Sequence, residues 1–167
     1  GLSAVGLVTV RGFRISDSSD VALAYFDIDG SARARHGVKL LGGGNANERV
    51  TVHDCMIHDV QGTHDGVRVG RGNCDVTLRD LWIERTGGDG IFLADGPCEV
   101  TVTRVRILAS GHDGIRCTDD ASVRIEACRI EDSGTRGDDR QGYAIFRQRQ
   151  RTAQPAGITL VANTFAN

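Results

Sequence analysis

Three stretches hold the residues best suited to chemistry: "THDGVRVGRG" at 63–72, "GGDGIFLADG" at 87–96 and "GHDGIRCTDD" at 111–120. Each puts an aspartate directly before a glycine and a short apolar run: Asp65, Asp89 and Asp113. His64 and His112 precede two of these aspartates, with Gly88 at the same place in the middle stretch. Two residues beyond the glycines stand Arg68, Phe92 and Arg116, and "RHGVKL" at 35–40 adds Arg35, His36 and Lys39. Carboxylate and imidazole groups move protons, and guanidinium clamps a carboxylate through two hydrogen bonds. An aromatic ring can pack on a sugar face. Together these types suit proton removal beside the carboxyl group of an acidic sugar. That reaction needs the carboxyl neutralised by Arg or a cation while a base takes the neighbouring C–H proton. Hydrolysis instead needs two carboxyls far enough apart to admit a water, and the aspartates also allow that. The candidate catalytic residues are His112, Arg116, Asp113, His64, Arg68 and His36. The candidate substrate-binding residues are Lys39, Phe92, Asp65, Asp89, Arg35 and Arg140.

A repeat must position these groups. "VTVHDCMI" begins at Val50, "VTLRDLWI" at Val76, "VTVTRVRI" at Val100, "VRIEACRI" at Val123 and "ITLVANTF" at Ile158, and "VALAYFDI" at Val21 fits the same template. A second short segment follows the first five: "GVKL", "GVRV", "GIFL", "GIRC" and "GYAI", led by Gly37, Gly66, Gly90, Gly114 and Gly142 at spacings of 29, 24, 24 and 28. Period-two alternation with β-branched residues means strands. Strands this short, recurring at a fixed period, pair with their equivalents one period later. The expected fold is all-β: a right-handed parallel β-helix of five to six rungs, each of roughly 24 residues and stacked about 4.8 Å apart. It forms a single domain over residues 1–167.

The core of such a solenoid is a set of columns, one of Val50, Val76, Val100 and Val123 and another of Ile57, Ile83, Ile107 and Ile130. The recurring glycine is expected to turn the chain into its strand at positive φ. Asp65, Asp89 and Asp113 form a column of their own. Stacked carboxylates raise one another's pKa, so turn hydrogen bonds, Arg neighbours or a cation must offset the repulsion. Capping of the turn and a functional role both fit. The outward column of the glycine-led strand reads Lys39, Arg68, Phe92, Arg116 and Ala144, a cation row with an aromatic, suited to an acidic glycan. Arg68 and Arg116 equally suit neutralisation of the Asp column.

The net charge of −2 gives no reason to expect a nucleic-acid partner, and no apolar run is long enough for a membrane partner. The repeated "VTVxxxxI…DGIxV" pattern, from about Val21 to Phe165, resembles the right-handed parallel β-helix superfamily of pectate-lyase-like proteins, mannuronan C-5 epimerases, polygalacturonases and phage tailspikes. The resemblance implies a glycan groove along the glycine-led strands, lyase or epimerase action on a uronate polysaccharide, and a secreted, cell-surface or virion setting. A non-catalytic glycan-binding, adhesin or tailspike-like module is the alternative. "RHG" at 35–37 is similar to an epimerase motif, although the epimerase Asp-Pro-His-Glu signature is absent. Pectate-lyase-like enzymes use Arg as base with carboxylate-held Ca²⁺, roles open to Arg68, Arg116, Asp89 and Asp113. Ca²⁺ is the one cofactor this implies. The loop pairs Asp119–Asp120 and Asp138–Asp139 read as solvated, and no metal ligands are assigned.

Cys55 and Cys128 fall in an inward column with Phe26, Leu81 and Val105, and Cys117 falls in one with Val69 and Leu93. Cys74 and Cys98 stack on adjacent rungs, where a disulfide is permitted by distance. The outward row Thr51, Thr77, Thr101 and Thr159 is broken by Arg124 and reflects strand propensity. Val8 and Val21 are only 13 residues apart, which suggests a skipped or rearranged strand. The chain stops after "ITLVANTF" without a cap, so a longer β-helix, or a homotrimer covering the open end, is expected.

Overall fold

The computed structural model describes residues 8–32, 35–94, 99–118, 122–137, 142–148 and 157–166. The chain visits three sheets in rotation. Sheet A takes β1 (Val8–Val10), β4 (Phe26–Asp29), β7 (Met56–His58), β10 (Trp82–Thr86), β13 (Arg106–Ser110), β16 (Arg129–Glu131) and β19 (Thr164–Ala166). Sheet B takes β2 (Phe13–Ile15), β5 (Val38–Leu40), β8 (Val67–Val69), β11 (Ile91–Leu93), β14 (Ile115–Thr118) and β17 (Ile145–Gln148). Sheet C takes β3 (Ser19–Ala24), β6 (Glu48–His53), β9 (Cys74–Arg79), β12 (Glu99–Thr103), β15 (Ser122–Glu126) and β18 (Ile158–Val161). Each strand pairs in parallel with the strand three positions later, giving sheets of seven, six and six strands. This is the expected parallel solenoid: among the described residues sheets B and C have six strands each, within the five to six rungs counted from the repeat, and sheet A has seven.

The columns follow from alternation. On sheet C, Val21, Val50, Val76, Val100, Val123 and Ile158 lie in register. On sheet A, Ile28, Ile57, Ile83, Ile107 and Ile130 do so and are fully buried. Between sheets C and A the chain turns through one residue at positive φ, successively Tyr25, Asp54, Asp80, Arg104, Ala127 and Ala162. The next residue points inward. At that place Cys55 and Cys128 are buried thiols, as is Cys117 on sheet B. Cys74 is disulfide-bonded, and Cys98, the partner that the spacing permits, lies outside the described residues.

Three details differ from the sequence reading. Gly37, Gly66, Gly90 and Gly114 are absent from the positive-φ residues. What demands glycine there is close stacking: a Cβ on Gly90 would lie 2.5 Å from Ile107 Cγ2 and 2.7 Å from the Gly114 carbonyl oxygen. Val8 belongs to sheet A, paired with Phe26, while Val21 belongs to sheet C, so their close spacing skips no strand. Finally, Ile115 pairs with Ile145 and Arg116 with Phe146. The "GYAI" segment is therefore shifted by two residues. Ala144 takes the glycine position and Phe146, not Ala144, takes the outward one.

Candidate functional site

Sheet B positions most of the sequence candidates, on short strands whose side chains alternate cleanly. In β5, β8 and β11 the two flanking residues are buried and the central one faces out. The outward column, read through the pairings, is Arg14, Lys39, Arg68, Phe92, Arg116 and Phe146. Phe92 sits between two guanidiniums, with Arg68 Cζ 4.4 Å and Arg116 Cζ 5.2 Å from its centroid, and Arg116 also lies 5.8 Å from the Phe146 centroid. The rings and cations thus stack on each other along the solenoid axis, a cation–π arrangement. Phe92 is consequently a spacer between the two arginines.

The aspartates lie just before each strand and turn inward. Asp65 Oδ1 accepts the backbone N–H of Asp89 (3.1 Å), Asp89 Oδ1 accepts that of Asp113 (3.0 Å), and Asp113 Oδ1 accepts that of Tyr143 (2.9 Å). Each carboxylate therefore caps the next rung, which offsets the repulsion within the column. His36 begins the ladder. Its Nδ1 accepts the backbone N–H of Asp65 at 3.1 Å. A backbone N–H can only donate, so Nδ1 is an acceptor and its 3.3 Å approach to Asp65 Oδ2 is not an ion pair. Arg68 Nη1 donates to that same Oδ2 at 3.2 Å.

Thr63, Asp65, Arg68, Asp89, Phe92, His112 and Arg116 enclose a cavity of about 290 Å³ spanning three rungs. Asp89 is 2% exposed and His112 5% exposed, so both sit in its wall rather than in solvent. Burial, followed by the charge of Asp65, pushes the Asp89 carboxyl up to about 7, against the smaller pull of its hydrogen bond to Asp113 and the charge of Arg116. A carboxyl in that range both takes and gives a proton near neutrality.

The structure thus brings together Arg68, Arg116, Phe92, Asp65, Asp89 and His112 from the sequence candidates. Asp113 stands beside them as a cap. His64 and His36 lie outside the cavity lining and pack edge to face, 5.2 Å between centroids. Burial chiefly holds the His64 imidazole below its ordinary pKa. Lys39 lines a second cavity with Arg68 and Arg71, and Arg35 is exposed one residue ahead of His36. Arg140, Asp119, Asp120, Asp138 and Asp139 lie outside the described residues. The sequence reading missed Thr63, Phe146 and Tyr143. Tyr143 takes the next place in the Asp column, is 45% exposed and stacks on Phe146 at 5.4 Å. Aligning "AIFR" with "GIRC" by their isoleucines would have found Phe146.

Among the described residues, one group of metal-ligand types converges: Asp29, His58 and Asp59 on sheet A. Its donors are already engaged. His58 Nδ1 meets Asp59 Oδ2 at 2.7 Å and its Nε2 meets Asp27 Oδ1 at 2.9 Å, while Arg85 makes two bonds to Asp59. Burial pulls the His58 pKa down, but the hydrogen bonds to Asp59 and Asp27 outweigh it and the net shift is upward. The group is an ion-pair network in which imidazolium and guanidinium supply the positive charge.

No curated protein and no solved structure matches the chain. The sequence model described as "Right handed beta helix region" matches residues 8–167. With three parallel sheets stacked in rotation over the same span, the chain belongs to the right-handed β-helix family.

Proposed function

We propose that the sheet B cavity binds an acidic polysaccharide and removes the proton beside a uronate carboxylate, as a lyase or a C-5 epimerase does. The supporting observation is convergence: two guanidiniums, two carboxyls and an imidazole line one cavity over three rungs. In this reading Arg116, on the rung of His112, neutralises the uronate carboxylate whose C5–H bond becomes acidic, and Arg68 pairs with a second carboxylate two rungs away. Asp89 and His112 are the proton-transfer groups. In elimination the base takes the C5 proton, the C4–O bond breaks, and the departing glycosidic oxygen takes a proton from the second group. In epimerisation C5 instead receives a proton on its opposite face. An extracellular or cell-surface location, where such polymers occur, belongs to the same proposal.

A second reading, a non-catalytic glycan-binding module, draws on the Asp ladder, because each of its carboxylates already caps a backbone N–H. Ultraviolet absorbance during incubation with a panel of uronate polysaccharides, with and without Ca²⁺, separates the readings. The lyase reading predicts rising absorbance from an unsaturated product, lost in Arg116→Ala and His112→Ala. A flat trace with C5–H exchange in proton NMR leaves epimerisation. A flat trace without exchange, together with binding, leaves the module.

A further inference from the structure

We propose that the glycan taken by this cavity carries its negative charge on every second sugar, an inference that rests on the acidic-glycan reading above. The cavity has two arginines in its outward column, and they are two rungs apart with Phe92 on the rung between. Two rungs measure about 10 Å. Phe92 enforces that separation, since one guanidinium lies 4.4 Å and the other 5.2 Å from its centroid.

An extended pyranose chain lying along the solenoid axis advances roughly one rung per sugar. Its first and third sugars then meet Arg68 and Arg116. The second sugar faces the rung of Phe92, where the column offers a hydrocarbon ring in place of a cation. Asp89, on that same middle rung, is buried in the cavity wall. A carboxylate on the middle sugar would meet no outward cation there, and its charge would face a hydrocarbon ring unpaired. A neutral sugar meets the ring edge without that cost. The alternation continues past the cavity, with Phe146 following Arg116. Arg14, Lys39 and Arg68 on successive rungs would suit a charge on every sugar, but Arg14 and Lys39 do not line this cavity.

Calorimetric titration at near-physiological salt tests this with three octasaccharides: a hyaluronan type with one uronate per disaccharide, an oligogalacturonate with a uronate on every sugar, and a neutral chito-oligosaccharide. The alternating ligand is expected to bind about tenfold more tightly than the homopolymer, and Arg68→Ala and Arg116→Ala each to weaken it about tenfold. Phe92→Leu keeps the column filled but releases the arginines, and should reduce the preference by about two- to fivefold. Tighter binding of the homopolymer overturns the spacing inference and leaves the acidic-glycan reading intact. Equal binding of neutral and acidic ligands overturns both.

Discussion

Arginine and aspartate meet in two regions of this solenoid, with opposite results. At the corners they form bidentate pairs across one rung: Arg49 with Asp20 (2.7 and 2.9 Å), Arg85 with Asp59 (2.7 and 2.9 Å) and Arg104 with Asp80 (2.7 and 2.8 Å). All six residues sit at positive φ, so their side chains leave the corner toward solvent and toward one another. Hydrogen bonds from the arginines hold Asp20, Asp59 and Asp80 below the ordinary carboxylate range. In the sheet B cavity the aspartates turn inward to cap backbone N–H groups, and the arginines stack on a phenyl ring above them. There the Asp89 carboxyl moves up instead of down. Burial and the direction in which the backbone aims each carboxylate decide the outcome, not the residue types.

The largest expected consequence of that difference is in pH dependence. Because the folded pKa of Asp89 is raised to about 7, the folded state binds more protons than the unfolded one between about pH 4 and pH 7. Stability therefore falls as pH rises through that window, by up to about 4 kcal/mol from this group. Asp89→Asn keeps an acceptor for the Asp113 N–H and should abolish the decline. Urea denaturation of both proteins at pH 5 and pH 8 measures it, and parallel pH profiles would break the comparison.

Next in size, Arg116→Ala should lower turnover of a uronate substrate by about a hundredfold, the usual loss when a transition-state cation is removed. Its Tm should stay close to wild type. Arg85→Ala, at a corner, should leave turnover unchanged. Equal effects of the two variants on turnover would erase the distinction between the regions.

Gly90→Ala tests the rung stacking on which the cavity is built. The added methyl meets Ile107 and the Gly114 carbonyl, and the overpacking should cost about 1–3 kcal/mol in urea denaturation. The smallest effect belongs to the corner pair itself. Arg85→Ala should cost at most about 1 kcal/mol at neutral pH, because the pair is largely in solvent. The Asp59 carboxyl is held low chiefly by Arg85, with burial opposing and His58 assisting. The wild-type advantage should therefore begin to decline as pH falls below about 4, where the unfolded carboxylate protonates, and be lost only as pH falls through the lower folded value.

Much of this organisation was legible from spacing. The column of Val50, Val76, Val100 and Val123 and the outward set Lys39, Arg68, Phe92 and Arg116 emerge in register because alternation assigns a face to every strand residue. The slip to Ala144 had a local cause: Gly142 imitates the repeat glycine, while Ala144 occupies its place. The corner pairs were not legible, since positive φ at Arg49, Arg85 and Arg104 runs against the preference of a long side chain. Only stacked neighbours make that conformation worthwhile.

By itself the amino-acid sequence determined the solenoid, its inward columns and which side chains face out from sheet B. Those properties depend on a two-residue period and a repeat of roughly 24, both readable one residue at a time. Tertiary structure alone decided that Phe92 is enclosed by two arginines, that each Asp caps the following rung, and that Asp89 is buried deeply enough to hold its proton near neutrality. Those depend on separations between rungs, where a few ångströms of stacking distance set both dielectric surroundings and hydrogen-bond partners, and no linear pattern encodes that distance.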